Sequence, residues 1–115
     1  IIWLDPIDGS DNFLSRIPYY GSSVAFEIDD DVKAAIICNF ANGDIFVKSS
    51  EGFKKANLDT LIFEEVFKNS CSNVGVFERA YRSKIYAKRL SDNMIKHRMP
   101  GAIALTLAYA HYVDF

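Results

Sequence analysis

The junction between an apolar run and a pair of acids constrains this chain more than any other stretch: Ile1-Ile2-Trp3-Leu4 leads directly into Asp5-Pro6-Ile7-Asp8-Gly9-Ser10. Four apolar residues predict a buried strand. Pro6 withholds an amide from any ladder and predicts that the strand stops at the acids, while Gly9 permits backbone geometry that a side chain would obstruct. Asp5 and Asp8 are hard oxygen donors of the kind magnesium takes together with substrate phosphate and retained water, and the intervening Ile7 carbonyl can supply a further oxygen. A short helix beginning near Ser10 would aim its free first-turn amides back toward both acids, where a phosphate dianion is favoured. Taken alone, Ser10 would serve equally well as an ordinary N-cap followed by the first-turn acid Asp11. That alternative leaves the Asp5 and Asp8 pair unexplained.

The segment Trp3-Leu4-Asp5-Pro6-Ile7-Asp8-Gly9-Ser10-Asp11-Asn12-Phe13 closely resembles the aspartate motif of the inositol monophosphatase family of magnesium-dependent, lithium-sensitive phosphatases. In that motif a tryptophan precedes Asp-Pro-(Ile/Leu)-Asp-Gly-Thr-x-Asn-Phe, and here Ser10 stands for the threonine. Downstream, Arg98-Met99-Pro100-Gly101-Ala102-Ile103-Ala104-Leu105-Thr106-Leu107-Ala108-Tyr109 is similar to the pattern Arg-x-x-Gly-Ser-Ala-Ala-Leu-Asp-Leu-Ala-Tyr. Two departures stand out: Ala102 replaces a small hydroxyl residue and Thr106 replaces an aspartate.

The resemblance implies a layered sandwich of α+β or α/β type, as in sugar phosphatases. It assigns Asp5, the Ile7 carbonyl and Asp8 to metal binding, with Asp5 and Ser10 catalytic, and the Gly9 and Ser10 amides to the substrate phosphate. It offers Gly101 and Ala102 as substrate-binding positions. The activity implied is hydrolysis of a small phosphomonoester by metal-activated water, with Mg2+ as cofactor, in the cytoplasm and in a protein that can form a homodimer. The substrate would be an inositol phosphate or a related sugar or nucleotide phosphate. A non-catalytic metal- or phosphate-binding remnant is the competing class, motivated by Ala102 and Thr106. Members of that family are about twice as long, so the chain reads as an internal fragment, inactive alone. Residues 1–72 would belong to the N-terminal metal- and phosphate-binding domain and residues 73–115 to the start of the C-terminal one, with a boundary in the polar stretch Ser70-Cys71-Ser72-Asn73.

Spacing disfavours two rival motifs. A haloacid-dehalogenase nucleophile motif sets its aspartates two apart, whereas Asp5 and Asp8 are three apart with Pro6 between them. An EF-hand loop counted from Asp5 needs an acid at its last ligand position, where Arg16 stands.

Strand signals dominate the first half. Ser22 to Ile28 and Val32 to Asn39 flank Asp29-Asp30-Asp31, and Asn42-Gly43 precedes a third run from Asp44 to Lys48, which predicts an antiparallel meander. The three consecutive acids read as a solvated turn, and Lys48, Lys54 and Lys55 as solvent-facing. Leu61, Ile62, Phe63, Val66 and Phe67 fit a loose helical stripe within Glu51–Asn69, with a short buried strand over Leu61–Phe63 as the alternative. Ala80 to Asn93 predicts an amphipathic helix with Tyr81, Ile85, Leu90 and Met94 on its apolar side. Pro100-Gly101 opens a last helix whose small and apolar residues predict burial on nearly every face.

Half of the residues are hydrophobic, 24% are charged and the net charge is -2. That composition argues against disorder and against a broad basic footprint for nucleic acid, and no apolar run approaches the roughly 20 residues of a membrane span. Cys38 and Cys71 lack metal-ligand or redox spacing and read as free thiols. His97 and His111 have no companion acid at zinc-ligand spacing.

Overall fold

The structure, a computed structural model, describes residues 1–68, 74–94 and 96–112. Six strands form one sheet in sequential order: β1 (Ile2–Asp8), β2 (Gly21–Ile28), β3 (Asp31–Asn39), β4 (Asp44–Ser49), β5 (Gly52–Asn57) and β6 (Glu64–Glu65). Every neighbouring pair is antiparallel, so the predicted meander is present. Its turns follow from turn chemistry. Asp29 and Asp30 adopt φ of 52° and 59° between the paired residues Ile28 and Asp31, the left-handed sequence of a two-residue hairpin that aspartate tolerates. Gly43, with φ of 76°, closes the next hairpin and donates its amide to the Asn39 carbonyl at 2.9 Å.

A short helix α1 (Ser10–Leu14) follows β1. The later residues form a parallel pair of short strands, β7 (Gly75–Val76) and β8 (His97–Arg98), joined through a 3-10 turn and helix α2 (Lys84–Asp92). Helix α3 (Ile103–Ala108) then lies on the large sheet, touching β1, β2 and β3. The result is a layered arrangement of mixed sheet and helix. The core sits between α3 and the sheet: Phe46 and Leu105 are fully buried, and the Phe46 ring meets Tyr109 edge-on at 4.9 Å and stacks on Phe53 at 5.8 Å. No helix among the described residues is long and apolar enough to cross a membrane.

Several expectations are corrected. β1 does not stop at the acids but runs through Pro6 to Asp8. As the edge of the sheet it has one neighbour, and an edge strand with an irregular register tolerates a residue lacking an N–H. Nor is it buried, for Trp3 is 58% exposed and Ile2 65% exposed. The region of the expected second-half stripe is not helical. Phe53 to Asn57 pair with β4, Leu61 takes φ of 51°, and Leu61, Ile62 and Phe63 are exposed, which also excludes a buried strand there. Within that stripe Glu64 and Glu65 pair with Lys55 and Lys54 of β5, and this strand pairing overrides the weak helical spacing.

The basic helix is shorter than expected, with Ala80–Arg82 as a 3-10 turn. α2 buries no residue, leaving Ile85 and Tyr86 open, and Tyr81 and Met94 beside it are exposed too. α3 buries one side, through Leu105, Thr106 and Ala108, while Leu107 is half exposed. Lys55 is not solvent-facing but packs over the Phe46, Tyr109 and Tyr112 rings. Cys38 is a buried free thiol, whereas Cys71 and the expected boundary at Ser70–Asn73 lie outside the described residues.

Candidate active site

Along a regular strand, residues three apart face opposite sides. Asp5 pairs with Ser23 and Asp8 with Gly21, so three steps on β1 oppose two on β2. The extra residue, at Pro6-Ile7, is a β-bulge. It resets the alternation, and Asp5, Ile7 and Asp8 line one cleft of about 540 Å³ together with Gly9, Ser10, Glu78, Arg79 and Gly101. Proline in the bulge thus aligns the two acids rather than ending the strand.

The two acids are held differently. An Asp5 oxygen accepts the Ile7 amide at 3.1 Å, closing a local turn around Pro6. Asp8 reaches across the molecule: its two oxygens accept the Ile103 and Leu105 amides, each at 3.1 Å, from the first turn of α3. These bonds satisfy helix-end donors that have no intrahelical partner. They also orient Asp8 without exhausting it, since an ionised carboxylate has about four lone-pair sites.

Gly9 caps α1 with φ of 80°, and a Cβ added there would lie 2.9 Å from the Ala102 Cβ and 3.0 Å from the Tyr19 carbonyl oxygen. Glycine is therefore required for both conformation and space. Ala102 is buried against Gly9 and does not line the cleft, while Gly101 does. Ser10 is the first residue of α1, not its N-cap, and no side chain caps the helix. This corrects the capping alternative: the Ser10 hydroxyl is exposed and makes no hydrogen bond among the described residues.

Residues that local reasoning left without a role complete the frame. Asn12 is buried, and its side-chain nitrogen donates to the Tyr19 carbonyl at 2.8 Å and to the Pro100 carbonyl at 2.7 Å, tying α1 to the turn before α3. Its sequence signals are its fixed place in the aspartate motif and its residue type, since asparagine inside a helical turn seeks bonds beyond the helix. Glu78 accepts the Gly101 amide at 3.1 Å and the Thr106 hydroxyl at 2.6 Å, and nothing in its spacing announces this. Burial pushes the Tyr19 phenol above its ordinary range, and the negative charges of Glu78 and Asp8 reinforce this. His97 and His111 lie outside the cleft lining, with the His111 ring stacked on Phe53 at 4.8 Å.

The donor set suits a hard divalent cation. Asp5, Asp8 and the Ile7 carbonyl offer oxygen only, and magnesium takes one or two protein carboxylates while retaining water and phosphate oxygens. Among the described residues no three His, Cys, Asp or Glu side chains converge as a full cage. Charge makes the same point: Asp5, Asp8, Asp11 and Glu78 face Arg79 and Arg82 in the lining. A phosphate dianion entering alone meets net repulsion, which a divalent cation would reverse.

Comparison with known proteins places the chain among relatives of one family and fold. Residues 1–114 match the profile of the "Inositol monophosphatase family". An inositol-1-monophosphatase from Rhizobium meliloti (strain 1021) is 35% identical over 51 residues, covering 44% of this chain and 19% of that protein. Among solved structures, the extragenic suppressor protein suhB from Bartonella henselae superposes with a TM-score of 0.78 at 25% identity, covering 98% of this chain and 47% of the other. An extragenic suppressor from Pyrococcus furiosus gives a TM-score of 0.70 at 28% identity, covering 94% of this chain and 41% of the other. The chain therefore spans less than half the length of these relatives. With a profile matched across nearly its whole length and a fold shared with these proteins, the chain belongs to the inositol monophosphatase family.

Proposed function

We propose that the full-length protein carrying this chain hydrolyses a small phosphomonoester, an inositol phosphate or a related sugar or nucleotide phosphate, with magnesium as cofactor. The observation that carries the proposal is the bulge that turns Asp5, Ile7 and Asp8 into one cleft beside Gly9 and an unengaged Ser10 hydroxyl. Asp5, Asp8 and the Ile7 carbonyl hold the cation. Bound magnesium supplies Lewis-acid polarisation of the phosphoryl group and lowers the pKa of water. The Gly9 and Ser10 amides receive the phosphate oxygens, where charge accumulates during transfer. The Ser10 hydroxyl orients the attacking water; its oxygen bonds phosphorus in line as the ester bond breaks, the proton it sheds passes to solvent, and solvent water returns one to the leaving alkoxide, so the net reaction consumes one water. Asp8, fixed by two α3 amides, keeps the acid pair in register with the substrate wall at Gly101.

The proposal includes a division of the chain into residues 1–72 of a metal-binding domain and the start of a second at 73–115, a cytoplasmic location and a homodimeric assembly. Phosphate release from a panel of phosphomonoesters, measured on the full-length protein with magnesium and then with chelator, tests the activity. Expected is chelator-sensitive turnover of at least one polyol or sugar monophosphate. The 115 residues expressed alone should turn over little or nothing. Metal binding without turnover of any phosphomonoester would overturn the enzymatic proposal in favour of a binding remnant.

A further inference from the structure

We propose that Glu78 is a positioning residue whose carboxylate, anchored by Thr106, sets the Gly101 turn and hence the affinity of the cleft for a phosphorylated ligand. The bonds form a directed chain. Thr106 is buried and its single hydroxyl proton goes to Glu78 Oε1 at 2.6 Å, so the Tyr19 hydroxyl, 3.2 Å from Thr106 Oγ1, is the donor there. The Gly101 amide donates to both Glu78 oxygens, at 3.2 and 3.1 Å. Gly101 has φ of 86° and sits against Asn12, whose side-chain atoms would lie 3.3 Å from an added Cβ. The turn is thus clamped on one side by Asn12 through the Pro100 carbonyl and on the other by Glu78.

Glu78 and Gly101 both line the cleft that holds Asp5 and Asp8. The family pattern carries an aspartate where this chain has Thr106. Here Glu78, on a neighbouring segment, accepts the Thr106 hydroxyl.

This inference rests on the proposed phosphomonoester site, and its test separates the two. Calorimetric binding of a polyol monophosphate and exchange of the Gly101 amide are measured on the full-length protein, alongside turnover. Glu78→Ala should speed Gly101 exchange and weaken ligand binding, each by about tenfold, and raise KM more than it lowers kcat, because the clamp shapes the substrate wall rather than the acids. Thr106→Asp in the Glu78→Ala background should restore both properties, since a side chain at position 106 leans back toward the start of α3. Thr106→Asp alone should lower the melting temperature, because two carboxylates then meet within hydrogen-bonding range.

Unchanged Gly101 exchange and affinity in Glu78→Ala overturns the inference, as does failure of Thr106→Asp to rescue. A wild type that binds the ligand but does not hydrolyse it overturns the proposed activity, while the affinity ratios still decide the role of Glu78. A wild type that does not bind it overturns both.

Discussion

Asp44 and Asp5 are acids of the same sheet in opposite circumstances. Asp44 Oδ2 is met from three directions, by the Tyr109 hydroxyl at 2.6 Å, the Lys55 ammonium at 2.8 Å and the Asn42 amide at 3.1 Å. Asp5 is exposed, and its one hydrogen-bond partner among the described residues is the Ile7 amide two positions on. Asp44 closes a contact between β4 and the end of α3, so its charge is neutralised inside the fold. Asp5 stands in a cleft with a surplus of acids and, among the described residues, forms no ion pair with the Arg79 or Arg82 of its lining. A carboxylate that supports structure comes with its counter-charge; one whose charge is uncompensated is suited to recruiting a cation from outside.

The sharpest way to break this contrast is to neutralise each acid in turn in the full-length protein. Asp5→Asn should lower magnesium-dependent turnover by more than about 10²-fold, beyond the loss usual for a residue that merely supports a metal site, while leaving the melting temperature nearly unchanged. Asp8→Asn should weaken metal affinity and turnover together. Asp44→Asn should do the reverse, leaving turnover near normal and destabilising the fold. Near-normal turnover in Asp5→Asn, measured at saturating magnesium, would remove Asp5 from the site and erase the distinction.

What could be read from sequence divides along the same line. The acid pair, Gly9 and the start of α1 were legible because their chemistry is local, contained within a few consecutive residues. The meander was legible because Asp29-Asp30 and Asn42-Gly43 are turn formers between alternating runs. The burial of β1 is not legible because an apolar strand is covered only if something packs on its faces, and Ile2, Trp3 and Leu4 are more than half exposed. The alignment of Asp5 with Asp8 depends on a bulge, visible only once β2 is placed opposite. Glu78 was silent because its partners, Gly101 and Thr106, lie 23 and 28 residues away. The pairing of Glu64 and Glu65 with β5 likewise depends on a neighbouring strand, and it overrides a helical stripe that exists only as spacing.

Ser10 sharpens the comparison next. Ser10→Ala should lower kcat by roughly 10²-fold, the scale of a positioned proton-handling group, with stability unchanged because its hydroxyl caps no helix. Ser10→Thr should retain most activity. A Ser10→Ala protein with full turnover would leave the hydroxyl without a role in the reaction.

The Asp44 cluster makes an acid-side prediction. Burial raises the Asp44 carboxyl, but the Lys55 and Tyr109 hydrogen bonds and the Lys55 charge outweigh it and hold it below its ordinary value. A lowered folded-state pKa contributes stability above the unfolded value, about 3.9 for aspartate, and that contribution is lost as pH falls through the folded value. Melting temperature should therefore drop more steeply below pH 4 in wild type than in Asp44→Asn, which should itself cost about 1–3 kcal/mol at neutral pH, as for loss of a hydrogen-bonded charge. At the alkaline end Tyr109, pushed up to about 12 by burial and by the Asp44 hydrogen bond, contributes stability below about pH 10 that fades as pH rises through 12. Parallel acid melting curves for the two proteins would detach Asp44 from the fold.

The smallest effect separates two adjacent lysines on β5. Lys55 bonds Asp44 at 2.8 Å with both side chains largely shielded, whereas Lys54 bonds Glu51 at 3.0 Å with the glutamate 77% exposed. Water and salt screen the second pair, and two long side chains lose rotamer freedom to make it. A double-mutant cycle over Lys54 and Glu51 should return a coupling of at most about 0.5 kcal/mol, vanishing in high salt. The same cycle over Lys55 and Asp44 should exceed about 1 kcal/mol and persist, because Lys55 also rests on the Phe46, Tyr109 and Tyr112 rings. Equal couplings with equal salt dependence would mean that the enclosure of Asp44 confers nothing that an open surface pair lacks, and the contrast between a compensated and an uncompensated acid would then rest on Asp5 alone.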